Sequence, residues 1–333
     1  MYDSIKIRLY NLPSNYDFAR VLSSLNNVVI YENETGGHGK WRGRNVTAMD
    51  DYVQFEGSLP KCLYGHNLNS LRLSEVKRLI YQMSEELGVP MYKAEILNLE
   101  FAHNFIMDNQ PIKYMQMLTG IPKFKDNSWD GTRYFEYGGV RVKFYDKVKE
   151  AKKKRELPKY GDVPPYQLRY EVTFEGKKLE SLFDRTLTTE DLWSKEVFWK
   201  LAAEWFGYFE LLEKRPHSSK DIDFSILSSI KDFDKWVICM LNDEQNLGYY
   251  VKHVLFKHRS NPQGSHRALH GQIQKRIKEA LKWGKANLPD SKLMEELTML
   301  VEAYLTDLYN MSTDGLSTEE FEQMINNQSG KYI

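Results

Sequence analysis

The sequence has little cysteine, no net charge and no long apolar run, and each shortage excludes a class of protein. Only two of its 333 residues are cysteines, Cys62 and Cys239, and their wide separation argues against a zinc site or a disulfide framework. The 46 basic residues balance the 46 acidic ones, so net charge points to no partner. Because no run of about 18 apolar residues occurs, we expect no membrane span.

The beginning of the chain, MYDSIKIRLYNLP, lacks the apolar core of a signal peptide. This predicts a cytoplasmic protein that does not contact a membrane. The hydrophobic share of 41% is enough for a substantial core, and the length allows one large domain or two.

What the chain does contain is a pair of alternating segments, Val140–Lys147 and Leu168–Phe174, joined by a basic linker. In a strand, alternate side chains share a face. The polar face of the first strand would carry Arg141, Lys143, Tyr145 and Lys147. The polar face of the second would carry Arg169, Glu171 and Thr173. If both strands belong to one sheet, a tyrosine lies among cations beside a carboxylate, which suits attack on a phosphodiester.

The rest of the chain predicts the fold class. Alternating strands and amphipathic helices indicate an α+β domain over residues 1–215, with a mostly antiparallel sheet and helices packed on one face. Strands are expected near residues 5, 28, 53, 97, 133, 142 and 170. The opposite face of the sheet would carry the tyrosine, the lysines and the carboxylates. Residues 216–333 are predicted to be helical.

Three basic stretches leave their roles open. Gly36–Arg44 is predicted to be a loop that is either solvated or in contact with DNA, and the linker Val148–Pro165 a solvated loop whose charge can serve DNA. Ser265–Lys285 is predicted to be an amphipathic helix. Its cations, namely Arg267, Lys275, Arg276, Lys278 and Lys282, form either a solvated face or one that tracks DNA.

Between residues 57 and 174, three short segments follow one another in a characteristic order. They are Leu59-Pro60-Lys61 through Gly65-His66-Asn67, the strand Ile96–Phe101, and Phe144–Glu150 followed by Leu168–Glu171. In order and spacing they resemble the gene II-type replication initiators of filamentous phages and related rolling-circle replication proteins of phages and plasmids. The resemblance covers about a third of the chain.

The resemblance implies an initiator that nicks one strand at an origin. A tyrosine attacks the backbone phosphate with a divalent metal, Mg²⁺ or Mn²⁺, stays joined to the DNA 5′ end, and leaves a 3′-hydroxyl that primes synthesis. The family's tyrosine maps onto Tyr145 and its lysine onto Lys147. The other carried-over positions are Gly65, His66, Asn67, Arg169, Tyr170 and Glu171.

The chain departs from the pattern in two places. The wider HUH-related superfamily of tyrosine nickases holds its metal with two histidines one residue apart on a central strand, and no such pair occurs here. The gene II-type proteins carry Asp where this chain has Glu100. A competing alignment with staphylococcal-type plasmid initiators matches Thr132–Phe135 and makes Tyr134 the alternative nucleophile.

The chemistry expected of Tyr145 depends on its neighbours. A phenol with a pKa near about 10 needs positive charge or a metal to become a useful nucleophile. Lys143 and Lys147 are expected to lower that pKa or to bind the scissile phosphate, and Lys147 could protonate the leaving oxygen. The alternative is a surface tyrosine among charges.

Glu100 and Glu171 are the expected metal ligands, because Mg²⁺ and Mn²⁺ prefer oxygen donors, and His66 is a third candidate. The alternatives are a salt bridge from Glu171 to Arg169 or Arg141, and a loop hydrogen bond for His66. The residues expected to contact DNA are Lys61, Asn67, Tyr134, Arg141, Lys143 and Arg169.

The first hypothesis is therefore a nicking and rejoining enzyme that starts rolling-circle replication on single-stranded or supercoiled origin DNA. A relaxase for mobilisation or transposition would use the same chemistry. A non-catalytic protein that binds origin or single-stranded DNA is the alternative of another class. The C-terminal helices would read the origin, bind a host helicase or pair with a second copy in a homodimer.

Overall fold

The computed structural model describes residues 2–32, 35–129, 131–158, 163–214, 227–245, 264–288 and 292–312. The chain divides into two compact units. One comprises Met1–Ile112, Gly120–Leu212 and Val301–Ile333, and the other Lys113–Thr119 and Glu213–Leu300. The predicted domain boundary after residue 215 falls outside the described residues and stays a prediction.

The first unit is built on one ten-stranded sheet in which every adjacent pair of strands is antiparallel. Its strands are β1 (Tyr2–Leu9), β2 (Asn26–Ile30), β3 (Gly36–Trp41), β4 (Arg44–Met49), β5 (Val53–Ser58), β6 (Glu95–Ile106), β8 (Lys125–Asp126), β9 (Thr132–Tyr137), β10 (Val140–Asp146) and β11 (Gln167–Glu175). Their order is β2-β3-β4-β5-β1-β6-β11-β10-β9-β8. Two further short strands, β7 (Leu118–Gly120) and β12 (Glu213–Lys214), pair with each other. The expected mostly antiparallel sheet is confirmed.

The α-helices among the described residues are α1 (Phe18–Ser23), α2 (Leu59–Tyr64), α3 (Leu73–Leu87), α4 (Pro111–Met117), α5 (Lys147–Lys154), α6 (Gly176–Phe183), α7 (Lys195–Glu210), α8 (Ile230–Gln245), α9 (Gly264–Asn287) and α10 (Lys292–Ser312). The expected C-terminal helices are present. Short 3₁₀ turns lie at Met91–Lys93 and Thr189–Trp193. Among these helices none has the length and apolarity to cross a bilayer.

Helix α7 packs on the apolar face of the sheet, as its aromatic residues predicted. The Tyr170 hydroxyl of β11 donates to the backbone carbonyl of Trp205 at 2.7 Å, and their ring centroids lie 4.5 Å apart. On the neighbouring strand the Phe144 ring stacks on Tyr170 at 4.5 Å. The apolar residues of β10 and β11 therefore anchor the central strands, and their polar neighbours point to the opposite face.

The glycine-rich stretch is a strand, so the predicted loop at Gly36–Arg44 is wrong. Its glycines serve close packing: a Cβ on Gly37 would lie 2.6 Å from the Val29 carbonyl, and one on Gly39 2.8 Å from the Leu25 Cβ. Only the turn at Arg42 and Gly43, with φ of 46° and 76°, uses left-handed backbone.

The beginning of the basic linker is helix α5, so the prediction of a loop from residue 148 onward is also wrong. Asp146 caps the helix by accepting from the Lys149 amide at 2.8 Å, and Arg155 ends it in a left-handed conformation. Val148 and Ala151, three residues apart, are buried. The surrounding lysines masked this short apolar stripe in the sequence.

In the second unit, α8 and α9 pack through a small core of Cys239, Ala280 and Leu288, with Trp236 and Trp283 beside it. The predicted helix at 265–285 is confirmed within α9. Its cations at 275, 276, 278 and 282 are exposed. A role in tracking DNA stays a prediction.

Candidate active site

The register of the central strands brings the predicted polar residues onto one face. Lys143 of β10 lies opposite Glu171 of β11, and Tyr145 lies opposite Arg169. Glu100 of β6 lies opposite Thr173. Because directly opposite residues share a face, side chains that are far apart in the chain become neighbours here.

Tyr145 is half-buried, and its hydroxyl donates to Glu171 Oε2 at 3.1 Å. Burial raises the pKa of this phenol well above its ordinary value; the positive charge of Arg169 opposes the rise, and the negative charge of Glu171 adds to it. The expectation that Lys143 and Lys147 lower the pKa is wrong. Their ammonium groups are committed to carboxylates, so little of their charge acts on the phenol.

Glu171 links three of the predicted residues. Its Oε1 accepts from Lys143 Nζ at 2.7 Å, and its Oε2 accepts from Arg169 Nε at 3.0 Å as well as from Tyr145. Burial alone would raise the pKa of this carboxyl, but Lys143 and Arg169 outweigh burial and lower it. Glu171 is therefore an ionised acceptor in contact with the phenol, and it also forms the salt bridge with Arg169 that the sequence left open.

Arg169 is only 2% exposed and lies among carboxylates. Its Nη2 contacts Asp3 Oδ2 and lies 3.5 Å from Glu100 Oε1, and its Nη1 donates to Asn104 Oδ1 at 2.9 Å. Direct contact with DNA, as expected for this residue, does not agree with such burial. Its guanidinium instead fixes the positions of Asp3, Glu100 and Glu171.

Asp3 belongs to this network although sequence reasoning missed it. The Asn67 amide donates to its Oδ2 at 2.7 Å, and the Ser58 hydroxyl donates to its Oδ1. Strict alternation from Ile5 would place Asp3 in the apolar core. The pairing of β1 with β6 shifts register between Tyr2 and Ile5, and this irregularity turns Asp3 to the polar face.

Lys147 is the first residue of α5 and is 1% exposed. Its Nζ pairs with Glu150 Oε2 at 2.7 Å and lies 5.9 Å from the Tyr145 ring centroid. Burial and the nearby charge of Arg169 lower the pKa of this ammonium, with Glu150 opposing the shift. The lysine predicted to serve as an acid is thus close to the phenol and more acidic than usual.

His66 and Lys61 lie at the edge of the polar face. Burial and the positive charge of Lys147 lower the pKa of His66, and its Nδ1 accepts a long hydrogen bond from the Leu68 amide at 3.4 Å. This is the loop hydrogen bond that the sequence left as the alternative. Lys61 Nζ donates to both carboxylate oxygens of Glu156, at 2.7 and 2.6 Å.

Rolling-circle initiators generally act with a divalent metal ion, and the carboxylates of the polar face are its natural ligands. Burial raises the pKa of Glu100 well above its usual range, and repulsion from Glu171 and Asp3 adds to the rise. Among the described residues no three His, Cys, Asp or Glu side chains form a ready metal site. Mg²⁺, however, usually binds through one or two carboxylates together with water and substrate phosphates, so the donor chemistry of Glu100 and Glu171 fits.

These groups open into a cavity of about 510 Å³. Tyr145, Glu171, Glu100, Lys143, Lys61 and Trp129 are among its lining residues. Three lysines from or beside the last turns of α5, at 149, 153 and 154, also line it. The cavity therefore joins the nucleophile candidate to cations that can hold a phosphate chain.

A smaller cavity of about 150 Å³ adjoins Glu100 and Lys143 on the same face. Arg141 and Thr173 line it, and both Arg141 Nε and Thr173 Oγ1 are buried without a hydrogen-bond partner in the structure. Tyr134 lies one strand further from Glu171, on β9, with its ring centroid 5.9 Å from Lys143 Nζ. Of the two candidate nucleophiles, Tyr145 is the one in contact with a carboxylate acceptor in this network.

Comparison with known proteins agrees with this arrangement. A family model that describes the N-terminal part of the replication-associated protein encoded by phage gene II matches residues 6–196, more than half of the chain. The chain belongs to this family, and its function is the initiation of rolling-circle DNA replication. Initiators of this family are nicking endonucleases that bind origin DNA, so the resemblance seen in the sequence is confirmed.

No curated protein matches the chain. A solved structure, that of the rolling circle replication initiator protein from Geobacillus stearothermophilus, is similar with a TM-score of 0.36 and 14% sequence identity. The match covers 62% of this chain and 84% of that one.

Proposed function

We propose that this chain nicks and rejoins one strand of origin DNA through a covalent intermediate on Tyr145. The supporting observation is the 3.1 Å hydrogen bond from the Tyr145 hydroxyl to Glu171 Oε2 inside an open, lysine-rimmed cavity. The Tyr145 oxygen forms a bond to phosphorus, and the bond from phosphorus to the 3′ oxygen breaks. The 5′ phosphate stays on the tyrosine, and the strand end leaves as a 3′-hydroxyl.

Each proton in this step has an available partner. Glu171 accepts the phenol proton because it already accepts its hydrogen bond. Lys147 donates a proton to the departing 3′ oxygen, which its lowered pKa favours. Rejoining runs the same transfers in reverse, with the 3′-hydroxyl attacking the phosphotyrosine.

We assign Mg²⁺ or Mn²⁺ to Glu100 and Glu171, with His66 as a third ligand. The raised pKa of Glu100 supports this assignment, because a cation between neighbouring carboxylates would remove the repulsion that raises it. The lowered pKa of His66 favours the neutral imidazole that a metal requires. When bound, the ion would act as a Lewis acid on the phosphate and would favour ionisation of the phenol.

The strand itself would be held by cations and amides around the cavity. Lys61 and Lys143 line the main cavity with Asn67, and Arg141 lines the smaller one with an unpartnered Nε. Such groups suit contacts to successive backbone phosphates, which give position without sequence information. Single-stranded or supercoiled origin DNA is the proposed substrate, while a helicase partner and a homodimer remain predictions of the sequence.

The test is relaxation of a supercoiled plasmid that carries the origin, with Mg²⁺ or Mn²⁺ present. The wild type should relax it and form a covalent DNA adduct, and Tyr145→Phe should do neither while still binding the DNA. Tyr134→Phe is the matched control and should retain both activities. If Tyr145→Phe relaxes the plasmid as well as wild type, the nucleophile lies elsewhere; loss in Tyr134→Phe alone would assign it to Tyr134.

A further inference from the structure

One exposed aromatic side chain at the cavity has no role in the chemistry described so far. Trp129 is 60% exposed, and among the described residues no Phe, Tyr or Trp is more exposed. It lies in the connection from β8 to β9, and it lines the same cavity as Tyr145. A large apolar ring left in water beside a reaction site calls for an explanation other than core packing.

The position of the indole is fixed by its surroundings. The Trp129 amide donates to the Thr132 carbonyl at 3.2 Å, and the Thr132 amide donates back to the Trp129 carbonyl at 3.0 Å. The Tyr134 ring supports the indole, with ring centroids 5.6 Å apart and planes inclined by 38°. Tyr134 is in turn within 5.9 Å of Lys143 Nζ, so the two rings continue the polar face outward.

Cations line the same cavity. Lys149 and Lys153 are exposed, and Lys154 keeps 56% of its side chain exposed while paired to Glu150. An aromatic ring next to a row of cations is the combination with which proteins hold single-stranded DNA: the cations follow the phosphates, and the ring stacks on a base. An apolar protein partner would need the ring but not the lysines.

We propose that Trp129 is a stacking platform for an unpaired nucleobase of the strand that occupies this cavity. The identity of that strand as the one cut at Tyr145 rests on the function proposed above. Stacking would require the base to be out of its duplex, so Trp129 would select single-stranded or extruded origin DNA over paired DNA.

The test compares two fluorescein-labelled 15-nucleotide ligands by fluorescence anisotropy at low salt: oligo(dT), and a chain of the same length made of abasic sites. Both carry the same phosphates, so the ratio of their affinities reports contacts to bases. Wild type should prefer oligo(dT). Trp129→Ala should weaken oligo(dT) binding about 5- to 150-fold, the range for loss of one stacked base, and leave the abasic chain unchanged.

Two variants control the result. Trp129→Phe keeps a ring and should retain most of the preference. Tyr137→Ala removes an aromatic side chain that is 55% exposed on β9 but does not line the cavity, and it should bind both ligands as wild type does. The proposal is overturned if wild type shows no preference, or if Trp129→Ala weakens both ligands equally or neither.

The outcome does not depend on nicking. Tyr145→Phe, which should not cut, should keep the wild-type preference for oligo(dT) if Trp129 is the platform. Conversely, wild-type nicking that is lost in Tyr145→Phe would uphold the proposed function even if Trp129→Ala changed no affinity.

Discussion

Glu171 Oε2 accepts hydrogen bonds from two donors at once, the Tyr145 hydroxyl at 3.1 Å and Arg169 Nε at 3.0 Å. The same oxygen thus contacts the candidate nucleophile and the buried guanidinium that orders the polar face. Chemistry and stability converge on one carboxylate, and substitutions can separate the two contributions.

Glu171→Gln should abolish most of the nicking activity. The amide keeps the shape of the side chain but cannot take the phenol proton, so we expect covalent adduct formation to fall about 10²- to 10⁴-fold, the usual range for loss of a general base. Single-turnover adduct formation on a labelled origin oligonucleotide measures this. Glu175→Gln, at the exposed end of the same strand, is the control and should react as wild type. A Glu171→Gln protein that is folded and reacts at the wild-type rate would remove Glu171 from the chemistry.

Arg169→Met should destabilise the first unit severely. Removing one partner of a buried ion pair costs about 3–5 kcal/mol, because the remaining charges stay buried without compensation. Here Asp3 and Glu171 would lose their shared cation. Urea unfolding followed by tryptophan fluorescence gives the free energy of unfolding.

The matched control is Arg185→Met. Arg185 makes a comparable pair with Asp191 at 2.7 Å, but its side chain is 52% exposed. Exposed pairs contribute about 0–1 kcal/mol, so this variant should unfold close to the wild type. Equal urea midpoints for the two variants would mean that burial of Arg169 contributes no special stability.

How far the sequence predicts this site can be seen by comparing β11 with β1. In β11 the apolar residues alternate without interruption, and the polar set, Arg169, Glu171 and Thr173, was placed correctly from that pattern alone. The sequence did not reveal that this set is buried, because burial depends on the elements packed over the strand. Asn104, for example, binds the backbone carbonyls of Asn67 and Leu68 across that face.

In β1 the same reasoning fails at Asp3. The pattern of Ile5 and Ile7 extends inward to residue 3, and only the register shift against β6 reverses it. Such an irregularity is set by a partner strand far away in the chain, so no local signal reveals it. The pKa of Tyr145 was mispredicted for a related reason. The two lysines are near the phenol as expected, but each had found its own carboxylate, Glu171 or Glu150.

Asp191→Ala should lower stability at neutral pH and have little effect in acid. Asp191 accepts from the Thr188 amide at 2.8 Å and from both terminal nitrogens of Arg185. Burial would raise the pKa of this carboxyl, but the Arg185 and Thr188 hydrogen bonds outweigh burial and lower it. The folded protein therefore binds fewer protons than the unfolded chain, and this contribution is present above the unfolded pKa of about 3.9 and is lost as pH falls through the lower folded value.

We expect a loss of about 0.5–2 kcal/mol at pH 7, the range for removal of a helix cap, and a smaller loss at a pH near 2. Urea unfolding at both pH values measures it. Glu190→Ala, exposed and adjacent, should stay within about 0.5 kcal/mol of wild type at either pH. A deficit for Asp191→Ala that is the same in acid and at neutral pH would contradict the linkage.

The double substitution Lys149→Ala and Lys153→Ala should reduce the salt dependence of DNA binding. Both lysines are exposed on α5 and line the cavity, and alanine preserves the helix. Each phosphate contact on a single strand contributes about 0.7 to the slope of log K against log salt, so the slope should become shallower by about 1.4. Anisotropy titrations of oligo(dT) over a range of NaCl concentrations measure the slope. The control is Lys77→Ala with Lys93→Ala, which removes two exposed lysines that contact Trp193 and Tyr92 instead of the cavity. An equal change of slope in both pairs would mean that the DNA does not follow α5.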